Sequence, residues 1–481
     1  MNDTPPPKRK YFIRTYGCQM NVHDSERMSG LLDFDGYEPV SDPEEADLLI
    51  ANTCAVREKP ERKLLAELGR WKRLKRKKSG LVIAVSGCQA PRDADLIRAR
   101  APWVDLLLGP RSLYRLPELV RQVELQRYPL DSVDLFDDPT PLTPTRRSNL
   151  ISAWVDVMFG CNYSCTFCAV PTARGGEVSR KTDDILDEIR ELKLLGYKEI
   201  TLLGQTVNAW GRDWHFRNPY SVDIKDLSLI KNLAPPFHSL PLSGGEKKGG
   251  YRRRIDFAWL LEQIDQTAPG MRVRFTSPHP RLFNDRLIKA IAELPTVCEH
   301  VHLPLQSADN AVLRRMKRAY TYEQYCRIVD KLRRRIPDIS LTTDIIVGFP
   351  GESEAQFHKT LKAVSDLSFD QAFMFIYSPR RLTEALKYES EAVTPEAQKA
   401  RLQELIEAAN AQFNAKNRSQ VEKIFEVLVD GESEKNPDRL SGRTRGNKVI
   451  VFAGKREMIG QLVQVQAKIG YLWGFAGEVV P

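Results

Sequence analysis

Short apolar segments alternate with amphipathic segments along most of the chain, beginning close to its N-terminus. β-rich runs at Tyr11–Thr15, Ala46–Ala51 and Leu81–Ser86 are separated by helical stretches, and a further strand is predicted at Val104–Leu108. Strands that alternate with helices at this spacing are typical of a parallel sheet with helices on both faces. We therefore expect an α/β protein whose N-terminal domain, residues 8–125, is a doubly wound parallel sheet.

A second region of alternating strands and helices follows a Pro-, Asp- and Thr-rich stretch at residues 126–149, which is typical of a linker. Six predicted strands with intervening helices over residues 150–380 indicate a partial (β/α)6 barrel. A polar, Gly- and Pro-rich stretch at residues 211–254 interrupts this pattern, and we expect it to be a surface insertion. A helical connection is predicted at residues 381–418.

The pattern changes again in residues 419–481, where short strands are separated by turn residues. This predicts a small antiparallel β-barrel. Residues 436–456 contain six basic residues and one acidic residue, with Arg443, Arg445 and Lys448 close together. Such a face suits the phosphate backbone of RNA, and a merely solvated face of the barrel is the alternative.

Composition narrows the class of protein. The chain is 42% hydrophobic and 28% charged, which is ordinary for a globular protein, and its net charge of +9 favours a polyanionic partner. We find no apolar run long enough to cross a bilayer and no N-terminal secretory signal, so we expect a cytoplasmic protein without a membrane partner. Eight cysteines in 481 residues are too few for a disulfide scaffold.

One cysteine follows each of the first three predicted strands: Cys18, Cys54 and Cys88. Because the C-terminal ends of parallel strands lie along one edge of a sheet, we expect these thiols to converge. Three converging thiolates favour an iron–sulfur cluster. Buried structural thiols, or a zinc site with His23 as the fourth ligand, are the alternatives.

A compact motif, Cys161-x3-Cys165-x2-Cys168, follows the first predicted strand of the central region. Three thiolates on a four-iron cluster leave one iron open to a small ligand, and zinc or coincidental thiols are the alternatives. With Phe167 before its last cysteine, the motif resembles that of the radical S-adenosylmethionine (SAM) superfamily. The resemblance implies that bound SAM is cleaved reductively to a radical, which abstracts hydrogen from an unactivated C–H bond.

Polar residues also lie at or near later strand ends of the predicted barrel. Glu177, Gln205 and Gln306 are our candidates for contacts with SAM, because barrel ligands bind at the C-terminal ends of the strands. Each of these side chains could instead belong to a turn or a cap.

The three regions together resemble the methylthiotransferase family from about Lys10 to Val480. Residues 427–449 resemble the family's C-terminal TRAM domain, and Thr15-Tyr-Gly-Cys18-Gln-Met-Asn21 is similar to its tRNA-modifying branch. The resemblance implies two [4Fe–4S] clusters, one that cleaves SAM and an auxiliary one that carries sulfur. The implied ligands are Cys161, Cys165 and Cys168 for the first cluster, and Cys18, Cys54 and Cys88 for the second.

For this branch, the resemblance implies transfer of a methylthio group to C2 of N6-isopentenyladenosine at tRNA position 37, beside the anticodon. The expected cofactors are two clusters and two SAM molecules, and the expected partners of a monomeric enzyme are tRNA, an external electron donor and a sulfur donor. One alternative is the same transfer to threonylcarbamoyladenosine or to an aspartate of a ribosomal protein. Others are a single-cluster radical SAM RNA methyltransferase and a non-enzymatic iron–sulfur RNA sensor.

Overall fold

The computed structural model describes residues 8–55, 58–135, 143–214 and 255–480, with the backbone alone for residues 58–61. Most of the predicted insertion, residues 215–254, lies outside this range. No helix within the described ranges combines the length and the apolar character needed to span a bilayer.

The N-terminal region is a six-stranded sheet in which every neighbouring pair is parallel. In their order across the sheet, the strands are Glu38–Pro39, Lys10–Tyr16, Leu48–Thr53, Val82–Gly87, Leu106–Leu108 and Leu130–Ser132. Its helices are Gln19–Phe34, Glu58–Lys77, Gln89–Arg92, Ala94–Arg100 and Leu116–Gln126, with a 3-10 turn at Pro110–Arg115.

Alternate residues of these strands pack on opposite faces of the sheet. Tyr11 and Ile50 belong to a core with helices 19–34 and 116–126, whereas Phe12 and Leu49 belong to a second core with helix 58–77. The doubly wound arrangement is therefore confirmed. The order in which strands are added reverses between strands 10–16 and 48–53: strand 38–39 lies on one side of strand 10–16, and all later strands lie on the other. Folds of this kind form a ligand-binding crevice at such a point.

One element differs from the prediction. Leu130–Ser132, placed in the linker by the sequence pattern, pairs in parallel with Leu106–Leu108 as the last strand of this sheet. Its three residues include an exposed aspartate, Asp131, and form no apolar run. Pairing with a neighbour distant in sequence, rather than local pattern, makes it a strand.

The central region contains two three-stranded parallel sheets that continue one another as a partial barrel. The amide of Cys298 donates to the carbonyl of Val273 at 3.0 Å, which joins the two sheets. In order, the strands are Ser152–Asp156, Glu199–Leu203, Arg272–Phe275, His300–His302, Ser340–Val347 and Gln371–Ile376. The six-stranded barrel expected from the sequence is thus confirmed.

Helices cover the convex side of the barrel, and a small antiparallel pair, Met158–Phe159 with Val178–Ser179, lies next to its first strand. The helices of the central region are Val170–Arg174, which lies at the strand ends, and Thr182–Leu194, Phe257–Thr267, Asp285–Glu293, Asn310–Arg315, Tyr322–Arg335 and Glu354–Leu367, with 3-10 turns at Val207–Ala209, Pro280–Leu282 and Glu384–Glu391. Val301, Leu341 and Ile345 pack into the core beneath these helices. The residues between them, such as His302, Thr342 and Asp344, therefore face the concave side.

A helix, Pro395–Arg418, leads to a closed five-stranded barrel. Its strands are Ile424–Ser433, Asn436–Thr444, Val449–Phe452, Leu462–Tyr471 and Gly474–Val479, with a 3-10 turn at Arg456–Met458. Four of the five neighbouring pairs are antiparallel as predicted, but Val449–Phe452 and Gly474–Val479 pair in parallel because this contact closes the barrel.

The small barrel docks on the central region through buried arginines. Arg272 donates to the carbonyl of Arg443 at 2.8 Å, and Arg274 donates to the carbonyl of Thr444 at 2.8 Å. Glu199 accepts from Arg274 at 2.8 Å and so holds it in place. Arg272 and Glu199 each begin a strand, so the small barrel lies against the N-terminal end of the central barrel.

Candidate functional site

Three cysteines converge at the C-terminal edge of the N-terminal sheet. Cys18 is the N-cap residue of helix 19–34, and the backbone amide of Cys54 donates to the carbonyl of Tyr16 at 2.9 Å. A hydrogen bond with Cys54 lowers the pKa of Cys18 to about 6, against the effect of burial. Burial raises the pKa of Cys88, and the charge of Cys18 adds to this increase. Cys18 therefore interacts with both of the other thiols, as the strand-end positions of all three predict.

The loops that carry Cys18 and Cys54 can approach each other because residue 17 is a glycine. A Cβ atom at Gly17 would lie 2.3 Å from Oδ1 of Asn21 and 2.9 Å from Cβ of Cys54. Asn21 in turn donates to the carbonyl of Thr53 at 3.3 Å. A larger residue at position 17 would separate Cys18 from Cys54.

The second group of cysteines lies in the loop that follows strands 152–156 and 158–159. Each sulfur accepts one nitrogen donor, at 3.3–3.5 Å: the Tyr163 amide for Cys161, the Arg318 guanidinium for Cys165 and the Val170 amide for Cys168. Burial and the neighbouring charge of Cys165 raise the pKa of Cys168 to about 12. Without a bound cation this thiol therefore stays protonated, and a metal that binds the sulfur would displace the proton.

The spacing of the sulfurs tests which metal group fits. Among the described residues, neither group of cysteines has all three sulfur atoms within 4.8 Å of one another. Around a single zinc ion, with Zn–S distances of about 2.3 Å, tetrahedral thiolates lie about 3.8 Å apart. Donor sets made only of cysteine sulfurs fit an iron–sulfur cluster, in which each thiolate binds a different iron.

Helix 170–174 joins the two groups of cysteines. It starts two residues after Cys168, and Ala169 and Ala173 pack against Cys88 and Ala55 in a small buried cluster. The C-terminal ends of the two sheets therefore meet, and the two thiol groups lie on either side of one short helix.

Two of the residues predicted to contact SAM hold the second cysteine loop. Glu177 accepts from the amide of Asn162 at 3.3 Å, and Gln205 accepts from the amide of Gly160. Gln306 is elsewhere on the concave side, with φ +66° and its amide donating to the carbonyl of Asp344 at 2.8 Å. Within the described ranges, Nε2 of Gln205 and Oε1 of Gln306 are buried without a hydrogen-bond partner, as a ligand-binding group would be.

The comparisons with known proteins agree with this arrangement. Family models match residues 155–364 (radical SAM superfamily), 10–109 (uncharacterized protein family UPF0004) and 418–476 (TRAM domain). A tRNA-2-methylthio-N(6)-dimethylallyladenosine synthase of Moorella thermoacetica is 43% identical over 476 residues, which cover 98% of this chain and 99% of the relative. The chain belongs to the tRNA-2-methylthio-N(6)-dimethylallyladenosine synthase family.

Other members of the synthase family align over almost the whole chain. Those of Desulforamulus reducens and Geobacillus thermodenitrificans are 41% and 42% identical, and each match covers 98% of this chain and 95% or 83% of the relative. Family membership confirms the resemblance inferred from the cysteine motifs. Among solved structures, the radical SAM methyltransferase TsrM of Kitasatospora setae matches with a TM-score of 0.52 and 13% identity over 79% of this chain and 77% of its own, which shows a shared fold.

In this member of the synthase family, two of the three residues predicted to bind RNA are paired across the domain junction. Arg445 donates to both oxygens of Glu299, at 2.7 and 2.8 Å, and Lys448 is 2.8 Å from Asp370 and 11% exposed. Arg443 is 45% exposed, with Asp430 at 3.4 Å. Arg445 and Lys448 therefore help to dock the small barrel, and RNA contact stays a prediction for the exposed Arg443.

The zinc alternative for the first group of cysteines would need His23 as its fourth ligand. Its ring nitrogens are 3.3 Å from Asp156 and 3.5 Å from Glu26, so His23 faces carboxylates rather than the cysteines. It links helix 19–34 to the last residue of the first barrel strand.

Two residues of the site, His279 and Arg318, were not among the predicted ligands, because their partners are far away in sequence. The ring of His279 stacks on Tyr163 of the second cysteine loop, with centroids 4.0 Å apart. The side chain of Asn208 donates to the backbone carbonyl of His279 and accepts from its backbone amide. Burial and nearby arginines lower the pKa of His279 to about 2, so this ring is neutral. In the sequence, the position of His279 after a predicted strand was the one sign that it belongs to the site. Arg318, which donates to Cys165, gave no signal in the sequence.

Proposed function

We propose that this chain transfers a methylthio group to C2 of N6-isopentenyladenosine at position 37 of tRNA. The observation that carries the proposal is the meeting of two three-cysteine groups at one short helix. A single-cluster enzyme has no use for the first group, whereas methylthiolation needs both a radical source and a site that holds sulfur. The names of relatives that align over almost the whole chain support the same substrate.

Cys161, Cys165 and Cys168 would hold one cluster, and Cys18, Cys54 and Cys88 the other. When bound, the two clusters and SAM supply the methylthio group and the radical that activates the C2–H bond. Glu177 and Gln205 fix the backbone of the second cysteine loop, and Gln205 and Gln306 offer SAM one buried amide atom each. An external electron donor and a sulfur donor complete the reaction as transient partners.

The concave face of the barrel suits a prenylated adenine. Phe373 and Phe375 are 46% and 36% exposed, and they lie in register with Asp344 and Ile346 on the concave side. Ile346 and Phe167 of the second cysteine loop pack against the same buried cluster, which includes Phe349, so this apolar strip leads towards the thiols. We infer that this strip binds the dimethylallyl group and the adenine that carries it. The adenine unstacks from its neighbouring bases to reach the strip.

The substrate is tested by expressing the chain in a bacterial strain that lacks its own methylthiotransferases. Mass spectrometry of digested tRNA should detect 2-methylthio-N6-isopentenyladenosine. Methylthiolation of threonylcarbamoyladenosine alone, or of a ribosomal-protein aspartate alone, would replace the proposed substrate with that alternative. Methylation of adenine at C2 without sulfur would favour the single-cluster methyltransferase.

The two-cluster part is tested separately on anaerobically reconstituted protein. We expect about eight irons per chain, and about four after Cys18, Cys54 and Cys88 are all replaced by alanine. Cys326→Ala is the matched control, because Cys326 lies outside both groups. About four irons in the unmodified protein would refute methylthiolation by this route.

A further inference from the structure

Arg174 connects the two halves of the site through a single buried side chain. It is the last residue of helix 170–174, and its Nε donates to Sγ of Cys88 at 3.0 Å. Its Nη2 donates to Oδ2 of Asp24 at 2.6 Å, in a salt bridge whose side chains are 3% and 1% exposed. A residue of the central region therefore hydrogen-bonds to a thiol of the N-terminal sheet.

The arrangement around Arg174 fixes its position from several sides. Asp24 lies on helix 19–34, whose N-cap residue is Cys18, so the salt bridge ties Arg174 to the elements of two cysteines. Arg111 of the N-terminal region donates to the backbone carbonyl of Arg174 at 2.9 Å. Nη1 of Arg174 is buried without a hydrogen-bond partner among the described residues. The guanidinium therefore has one nitrogen left to donate a further hydrogen bond.

Arg318 makes the same kind of guanidinium–sulfur hydrogen bond at the second group of cysteines. Its Nη1 donates to Sγ of Cys165 at 3.3 Å, and its Nε donates to the hydroxyl of Tyr320 at 3.2 Å. The guanidinium also lies over the ring of Tyr320, with 5.1 Å from Cζ to the centroid. Each group of cysteines thus has one sulfur that accepts a hydrogen bond from a guanidinium.

Hydrogen bonds to ligand sulfurs are one of the means by which a protein sets the reduction potential of an iron–sulfur cluster. Reduction adds one negative charge, and a cationic donor at the sulfur stabilises the reduced form more than the oxidised form. Loss of such a donor therefore makes the reduction potential more negative.

We propose that Arg174 and Arg318 are positioning residues that set the reduction potentials of the two clusters independently: Arg174 through Cys88 and Arg318 through Cys165. The inference rests on the two clusters of the proposed function. Asp24 orients Arg174 towards Cys88, and Tyr320 orients Arg318 towards Cys165. One enzyme could in this way keep its radical-generating cluster and its sulfur-carrying cluster at different potentials.

The test uses the full-length protein with one cluster at a time. In a C161A/C165A/C168A background, R174Q should shift the midpoint potential of the remaining cluster to more negative values, by about tenfold in the reduction equilibrium, or ~59 mV. R318Q in the same background is the matched control and should leave this potential unchanged. In a C18A/C54A/C88A background, the roles of the two variants should reverse. Potentials are read by redox titration followed by electron paramagnetic resonance.

A purely structural role for Arg174 predicts that R174Q binds four irons with an unaltered potential, and this result would overturn the proposal. Equal shifts of one cluster by both variants would overturn it too. If R174Q fails to retain iron, R174M takes its place, because methionine keeps much of the side-chain length but has neither the charge nor the N–H donors. An unshifted potential in R174M is then the refuting result. Absence of the methylthiolated product with two intact, separately tuned clusters would instead refute the proposed substrate.

Discussion

Replacing His23 with glutamine removes a buried cation from the junction between the N-terminal sheet and the central barrel. His23 and Asp156 are 3% and 2% exposed, and 3.3 Å separates Nε2 from the carboxylate. Burial opposes a charged ring, but the charge and hydrogen bond of Asp156 outweigh it and raise the pKa of His23 to about 9. The same pair lowers the pKa of Asp156 to about 2.

The size and sign of the effect follow from proton linkage. A histidine at 6.5 in the unfolded chain and about 9 in the folded protein contributes roughly 3 kcal/mol to the free energy of unfolding. This contribution is fully present below pH ~6.5, declines as pH rises, and is lost above pH ~9, because the folded-state pKa is the higher one. The difference in stability between the wild type and His23→Gln should therefore be large at pH 6 and small at pH 9.5.

Urea denaturation of the full-length protein at a series of pH values, followed by circular dichroism, measures this difference. His358→Gln is the control, since His358 is exposed on helix 354–367. A stability difference for His23→Gln that does not change between pH 6 and pH 9.5 would refute the reasoning, because it would mean that His23 acts through packing alone.

Three other substitutions test the remaining parts of the site. Gly160→Ala should at least halve the iron bound per chain, because the position has φ +72° and a Cβ atom would lie 2.0 Å from the carbonyl oxygen of Gly176; an unchanged iron content would contradict this. Arg274→Ala should destabilise the protein by roughly 3–5 kcal/mol in thermal unfolding, because Glu199 would lose its buried partner. Phe373→Ala should raise KM for a prenylated tRNA stem-loop by about tenfold, while Phe373→Tyr keeps the ring and should restore it.

Periodicity predicted the architecture, because buried strands and amphipathic helices leave their pattern in short segments. The convergence of Cys18, Cys54 and Cys88 followed from the same rule, since the ends of parallel strands share an edge. Charge was less informative. Arg445 and Lys448 resemble an RNA-binding surface in sequence, but their partners are Glu299 and Asp370, far earlier in the chain. A local pattern cannot distinguish a phosphate from a distant carboxylate.

The attachment of the small barrel to the strand-starting end of the central barrel imposes a length on any RNA that touches both domains. Strand Ser340–Val347 has eight residues and, at ~3.3 Å per residue, separates the two ends by about 26 Å. That distance corresponds to roughly eight stacked nucleotides. A base at the thiols and a phosphate at Arg443 would therefore lie at least this far apart on the RNA. A trinucleotide that fits the reaction site would be too short to reach both.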